Sequence, residues 1–196
     1  MVVYLCSSNK AKLKELSLAA QGGSLEVLPL PGLREIPPPE ETGSTFEENA
    51  SEKALYYSQF TPELVVADDS GLEVDALNGA PGVFSARLAG PEAQDYENNA
   101  LLLDLLSRQE ERKARFVCAV VAAQQGRCLF RTRGEVEGEI LRAPQGANGF
   151  GYDPLFFYPP FGRSFAELTS DEKLRVSHRG KAMAALLQFL KRYAPN

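Results

Sequence analysis

Apolar and polar positions change period several times along the chain, and each change marks an element. Val2 to Cys6 form a short apolar run of the buried-strand kind. Residues 7–23 (SSNKAKLKELSLAAQGG) continue as a helix, with Asn9 or Ser8 to cap it and Gly22-Gly23 to end it. SLEVLPL (24–30) is a second strand, and PGLREIPPPEETGS (31–44) is a stiff polar loop. Thr45 and Glu48 then form a capping-box pattern, and Phe46, Ala50, Ala54 and Tyr57 recur at helical spacing, so a second helix starts there.

LVVAD (64–68) is the next strand, expected to end on its two acids in a Ser70-Gly71 turn. Residues 91–109 (PEAQDYENNALLLDLLSRQ) have a helical pattern, and 114–140 form a long antiparallel hairpin turning near Gln125-Gly126. After the glycine-rich stretch 144–154 come a short strand (LFF, 155–157), a short helix and a longer helix beginning near Ser177. Parallel strand-helix units at the start and a hairpin later imply an α/β fold. The expectation is a mixed sheet flanked by helices, with two lobes around a central cleft, in a single domain spanning 1–196.

Composition narrows the class. The 196 residues are 44% hydrophobic, enough for a core without covalent staples. Cys6, Cys118 and Cys128 lie in apolar or strand-like stretches with no paired metal spacing, so free thiols in a reducing compartment are expected. No apolar run approaches the ~20 residues of a membrane helix, and the expected location is cytoplasmic. The net charge of −5 argues against a polyanion-binding surface, hence against a nucleic-acid polymer as partner. The charge is divided unevenly: residues 1–98 carry 6 Lys+Arg against 16 Asp+Glu, and residues 99–196 carry 15 against 10. An acidic half facing a basic half suits a small ligand that carries both a metal and phosphates.

Asp68 and Asp69 pose the sharpest chemical question, because adjacent carboxylates at the end of an apolar run repel each other and lose hydration. On a strand they point in roughly opposite directions, so one can anchor the turn while the other faces a crevice. A divalent cation resolves the conflict, and Mg²⁺ takes one or two carboxylates together with waters and phosphates. In isolation the same "DDSG" is equally a turn after a strand.

Other motifs supply the remaining parts. Residues 7–12 stand at a helix N-terminus, where main-chain N–H groups attract anions, and Lys12 lies one turn in; alone, the segment is a plain helix cap. Glu41 is a further carboxylate on the Pro-rich loop, and Arg87 is a forked donor after the rigid "GAPG" turn. In "GANGFGYDP", Phe150 and Tyr152 flank a glycine before Asp153-Pro154, a ledge on which a planar base can stack. His178 is the chain's one histidine, flanked by Ser177 and Arg179, with Lys173 about one turn before it. A lone histidine is more often structural than catalytic.

Five segments, "SSNKAKLKE", "EETGSTFEENASEKA", "ADDSGLEVDALNGAPGVFSAR", "GANGFGYDPLF" and "ELTSDEKLRVSHRGKA", follow one another in an order that resembles the inosine triphosphate pyrophosphatase family, nearly end to end. The resemblance implies hydrolysis of XTP, ITP and dITP between the α and β phosphates, a requirement for Mg²⁺, and a homodimer. It makes Ser7, Ser8, Asn9, Lys10, Ala11 and Lys12 the phosphate-binding opening, with Asn9 and Lys12 its fixed polar members. It makes Glu41 and Asp69 the metal acids, Asp69 also the base for the attacking water, Asp68 a supporting acid and Ser70 a substrate contact. Phe150, Gly151, Tyr152 and Asp153 match the base-binding "FGYD", Lys173 a substrate lysine, and His178 with Arg179 a base-reading pair. The chain departs from the family at the opening, with Ser7 where threonine is usual and Ser8 where glycine is common. Two other readings use the same residues: a house-cleaning pyrophosphatase for other modified nucleotides, and a module that binds a nucleotide without cleaving it.

Overall fold

The computed structural model describes residues 2–20 and 26–193, so the Gly22-Gly23 helix stop and the first two residues of the 24–30 strand lie outside the described residues. The elements run β1 (Val2–Leu5), α1 (Lys10–Ala20), β2 (Glu26–Pro29), α2 (Phe46–Tyr57), β3 (Val65–Val74), α3 (Asp95–Leu105), β4 (Lys113–Gln124), β5 (Arg127–Ile140), β6 (Phe156–Tyr158), β7 (Arg163–Ser164), α4 (Ser170–Val176) and α5 (His178–Tyr193). One seven-stranded sheet has the order β2-β1-β3-β4-β5-β6-β7, parallel across β2, β1 and β3 and antiparallel from β3 onward. The mixed α/β architecture is thus the one the pattern predicts.

Local chemistry explains most boundaries. Asn9 is the residue that starts α1, its Oδ1 accepting from the N–H groups of Ala11 (2.9 Å) and Lys12 (3.2 Å). The Thr45–Glu48 capping box opens α2. Gln125 and Gly126 both have positive φ, 49° and 76°, the backbone that a tight two-residue hairpin turn requires.

One prediction fails. The strand expected to stop at Asp68 continues to Val74, and Ser70 and Gly71 pair with Cys118 and Val117 of β4. Tertiary structure overrides the local turn signal: β4 offers β3 an unbroken antiparallel partner from Val65 to Val74. Gly71 serves close approach instead of a turn, since a Cβ there would stand 2.6 Å from the Gly82 carbonyl oxygen and 2.9 Å from the Phe46 ring.

Strand alternation along β3 assigns its residues to different cores. Val66 packs with Cys118, Val120, Leu16 and Met183 under α1 and α5. Val65 and Ala67 pack with Phe46, Ala50 and Ala54 of α2 on the opposite face. A third core, with Leu72, Phe116, Phe156 and Phe165, fills the far end of the sheet under α3 and α4. On the edge of β3, β1 pairs only as far as Val66, and segment 79–87 takes up that edge again from Leu72, whose N–H donates to Ser85 Oγ at 2.8 Å. The gap between them holds Asp68, Asp69 and Ser70.

Candidate active site

That gap opens into a cleft of about 620 Å³, lined from both ends of the sheet. Side chains from opposite faces of β3 reach it because its strand edge is uncovered there. Asp68 points to the α1–α5 side. It pairs with Lys12 (2.9 Å) and lies 3.6 Å from Arg179 Nε. Burial alone would raise its pKa, but the charges of Lys12, Arg179 and Lys53 bring it down to about 2.

Asp69 points to the α2 side. Asn49 Nδ2 donates to its Oδ2 at 3.2 Å, and Lys53 Nζ donates to its Oδ1 at 3.1 Å. The same ammonium donates to Glu41 Oε1 at 3.1 Å, so one cation joins both predicted metal acids. Burial raises the Asp69 pKa, the neighbouring Glu41 carboxylate adds to the rise, and Lys53 and Lys12 only partly oppose it. The loop carrying Glu41 is tied down beside α2, with Thr42 donating to Glu52 and the Gly43 N–H to Asn49 Oδ1 (2.9 Å).

Across the cleft stands a cationic wall. Arg179, at the start of α5, donates to Ser70 Oγ (2.8 Å) and to Glu15 of α1. Lys173 of α4 donates to Glu15 (2.9 Å) and Asp153 (2.6 Å). Arg179 fits here because β5 carries Gly134, where a Cβ would stand 2.7 Å from the Ala182 nitrogen, letting α5 settle on the strand. His178 stacks on Phe116 with centroids 4.7 Å apart and leaves its buried Nδ1 without a partner. Burial, reinforced by Arg179, Lys173, Lys12 and Lys181, drives its pKa well down, so the ring is neutral.

The glycine-rich loop divides its aromatics. Phe150 is half-buried, with Lys173 Nζ 4.7 Å and Arg179 Cζ 5.5 Å from its ring centroid. Tyr152 belongs instead to the far core, its hydroxyl donating to the Ser85 carbonyl at 2.8 Å. Both rings border the cleft, Phe150 half-buried and Tyr152 buried. Asp153 is buried and accepts from the Phe150 N–H (2.9 Å) and from Lys173, which makes it the brace of the Phe150 ring.

Most predicted residues meet at the cleft: Ser7, Ser8, Asn9 and Lys12 at its opening, Glu41 and the β3 acids along one side, and the 150–153 loop with Lys173, His178 and Arg179 along the other. Lys10 and Ala11 do not line it. Ala11 serves through its N–H in the Asn9 cap, and Lys10 is exposed. Sequence reasoning missed Lys53, Asn49 and Glu15. Asn49 and Lys53 are four apart within the arc set by Phe46, Ala50 and Tyr57, and polar residues on an apolar helical face were the available signal. Glu15 lies three residues after Lys12 and beside buried Leu16.

Among the described residues no group of three or more His, Cys, Asp and Glu side chains gathers to hold a metal ion. Glu41 and Asp69, joined through Lys53, are the carboxylates that could hold a cation. Lys53 already places positive charge between them, and a pair of carboxylates open to the cleft fits the oxygen ligands that Mg²⁺ takes. No described helix is long and apolar enough to cross a membrane.

The chain is similar to known proteins over nearly its whole length. A protein from Acidobacterium capsulatum named dITP/XTP pyrophosphatase is 49% identical, covering 95% of this chain and 97% of its own. One of the same name from an Exiguobacterium species is 48% identical over 97% of this chain and 100% of its own. The solved structure of a HAM1 protein from Coxiella burnetii superposes with a TM-score of 0.89 at 40% identity, covering 98% of this chain and 99% of that one. Residues 3–189 match the Ham1 family, and the chain belongs to that family.

Proposed function

We propose that this chain is a Mg²⁺-dependent nucleoside triphosphate pyrophosphohydrolase that converts XTP, ITP and dITP to the monophosphate and pyrophosphate, removing non-standard purines from the nucleotide pool. The observation that carries the reading is the opposition, across one cleft, of the Glu41–Asp69 pair to Lys12, Lys173 and Arg179. The name dITP/XTP pyrophosphatase borne by relatives nearly half identical to this chain supports the substrate class. The reading includes a single domain over 1–196, a homodimer and a cytoplasmic location.

When bound at Glu41 and Asp69, Mg²⁺ would neutralise phosphate charge and lower the pKa of water there. The chain's own groups do the rest. The positive end of α1 and Lys12 receive the phosphates. Asn49 fixes one oxygen of Asp69, which leaves the carboxylate oriented to take a proton from the attacking water. That water forms a bond to the α-phosphorus as the bridging oxygen departs with the pyrophosphate. Lys12 and Lys173 offset the charge on the leaving anion. No covalent enzyme intermediate is required.

Base choice follows from donor polarity. Arg179 and one N–H of neutral His178 meet the O6 acceptor of hypoxanthine or xanthine, whereas adenine presents an amino donor there. A donor facing a donor leaves both unpaired in a buried site, which permits strong discrimination. A panel of XTP, ITP, dITP, dGTP and ATP, assayed for pyrophosphate with Mg²⁺ and with a chelator, tests the reading. Expected is metal-dependent pyrophosphate release from the first three and little from ATP. Equal rates on ATP, or turnover without a divalent cation, would refute it.

A further inference from the structure

The loop that carries Phe150 is built around two glycines with positive φ, Gly149 (75°) and Gly151 (62°). Glycines give such a tip many accessible conformations, and ordering them on ligand binding would weaken affinity. α3 removes that freedom in advance. Asp95 Oδ2 accepts from the Gly151 N–H at 2.6 Å, and Asn99 Nδ2 donates to the Gly151 carbonyl at 2.9 Å. The two side chains are four residues apart, hence on one helix face, and together they hold both polar groups of a single residue.

Asn98 treats the facing loop in the same way. Its Oδ1 accepts from Ala89 N–H at 2.8 Å and its Nδ2 donates to the Ala86 carbonyl at 3.2 Å. The Tyr152–Ser85 bond then ties the two loops together. Asn98 and Asn99 are both buried, a placement that costs free energy unless such bonds are made.

We propose that Asp95 and Asn99 are positioning residues for nucleobase recognition, clamping Gly151 so that the Phe150 ring stands ready beside Lys173 and Arg179. The proposal rests on the cleft being an inosine or xanthosine triphosphate site and deepens that reading. Lys12 and the α1 N-terminus lie away from the clamp, and Lys173, which touches the Phe150 ring, is held independently of it by Glu15 and Asp153, so loss of the clamp should register chiefly on the base.

The test uses Asp95→Ala, Asn99→Ala and the double variant, with Asp95→Asn as a conservative change that keeps an acceptor. Amide exchange at Gly151 is followed in the nucleotide-free protein, kcat and KM are measured with ITP, and inorganic tripolyphosphate is titrated as inhibitor. The double variant is expected to exchange faster at Gly151. Its KM for ITP should rise about tenfold, as two lost hydrogen bonds imply, with kcat within about twofold. Tripolyphosphate inhibition should stay unchanged, and Asp95→Asn should stay near wild type. Unchanged exchange overturns the clamp, and so does a parallel rise in KM and in the tripolyphosphate constant, which would mean general damage to the cleft. Wild-type protein without ITP turnover would overturn the substrate reading instead, and the exchange result then decides the clamp alone.

Discussion

On the α1–α5 face of β3, Asp68 is enclosed by Lys12 and Arg179 and held at a pKa of about 2; one residue later, on the α2 face, Asp69 shares a single lysine with Glu41 and is pushed upward by burial. The first arrangement is a buried, charge-balanced ion cluster that braces the cationic wall, although Asp68 Oδ1 and Arg179 Nε make no hydrogen bond in it. The second is short of positive charge, which suits the metal-ligand and base roles proposed for Asp69. A strand's alternation is enough to put one acid in each environment. The gap in the β3 edge then lets both reach the same ligand.

This contrast can be broken by exchanging the two positions' roles. Asp69→Asn keeps the shape and removes the carboxylate proposed as base and metal ligand, so turnover should fall roughly 10²–10⁴-fold while the thermal midpoint stays level or rises. Retained activity, or loss of activity together with folding, would contradict the assignment. Asp68→Ala should do the reverse in kind. It takes from Lys12 its carboxylate partner and leaves the buried Arg179 with Glu15 alone, and breaking a buried pair costs about 3–5 kcal/mol. Denaturant unfolding measures it, and a change below about 1 kcal/mol, the worth of an exposed pair, would show the cluster to be ornamental.

The pH dependence sharpens the same point with a smaller effect. Asp68 has a folded pKa of about 2, below the ~3.9 of an unfolded aspartate. A depressed pKa contributes stability above the unfolded value that is lost as pH falls through the folded one, here about 2 kcal/mol between roughly pH 4 and pH 2. Asp69, raised in the folded state, contributes in the opposite sense: its share is present at low pH and lost as pH rises through its folded pKa. Unfolding curves of wild type and Asp68→Asn across that acid range should converge as pH falls; parallel curves would deny the shift.

Much of this was legible in the chain. The caps at Asn9 and Thr45, the Gln125-Gly126 turn and the break before α5 are local signals, and each marks a real boundary. The β3 boundary was not legible, because Ser70-Gly71 has turn chemistry and only the pairing with β4 and the approach of residue 82 make it strand. The direction in which each acid faces depends on that strand continuing. Lys53 and Glu15 were hidden for a related reason: a charged residue on a helix reads as solvated until its partners, which come from elsewhere in the fold, are known. Tyr152 shows a further limit: it lines the cleft as expected, but that its hydroxyl is committed to the Ser85 carbonyl could not be read from the chain.

The most direct test of the division between the two acids is a carboxyl-carbon NMR titration of Asp68 and Asp69 in the same sample, repeated with Mg²⁺ and the monophosphate product. Asp68 should titrate near pH 2 and Asp69 above its ordinary value, and added metal with product should shift the Asp69 signal while leaving Asp68 in place. Two carboxylates that titrate together, or a metal response centred on Asp68, would contradict the account.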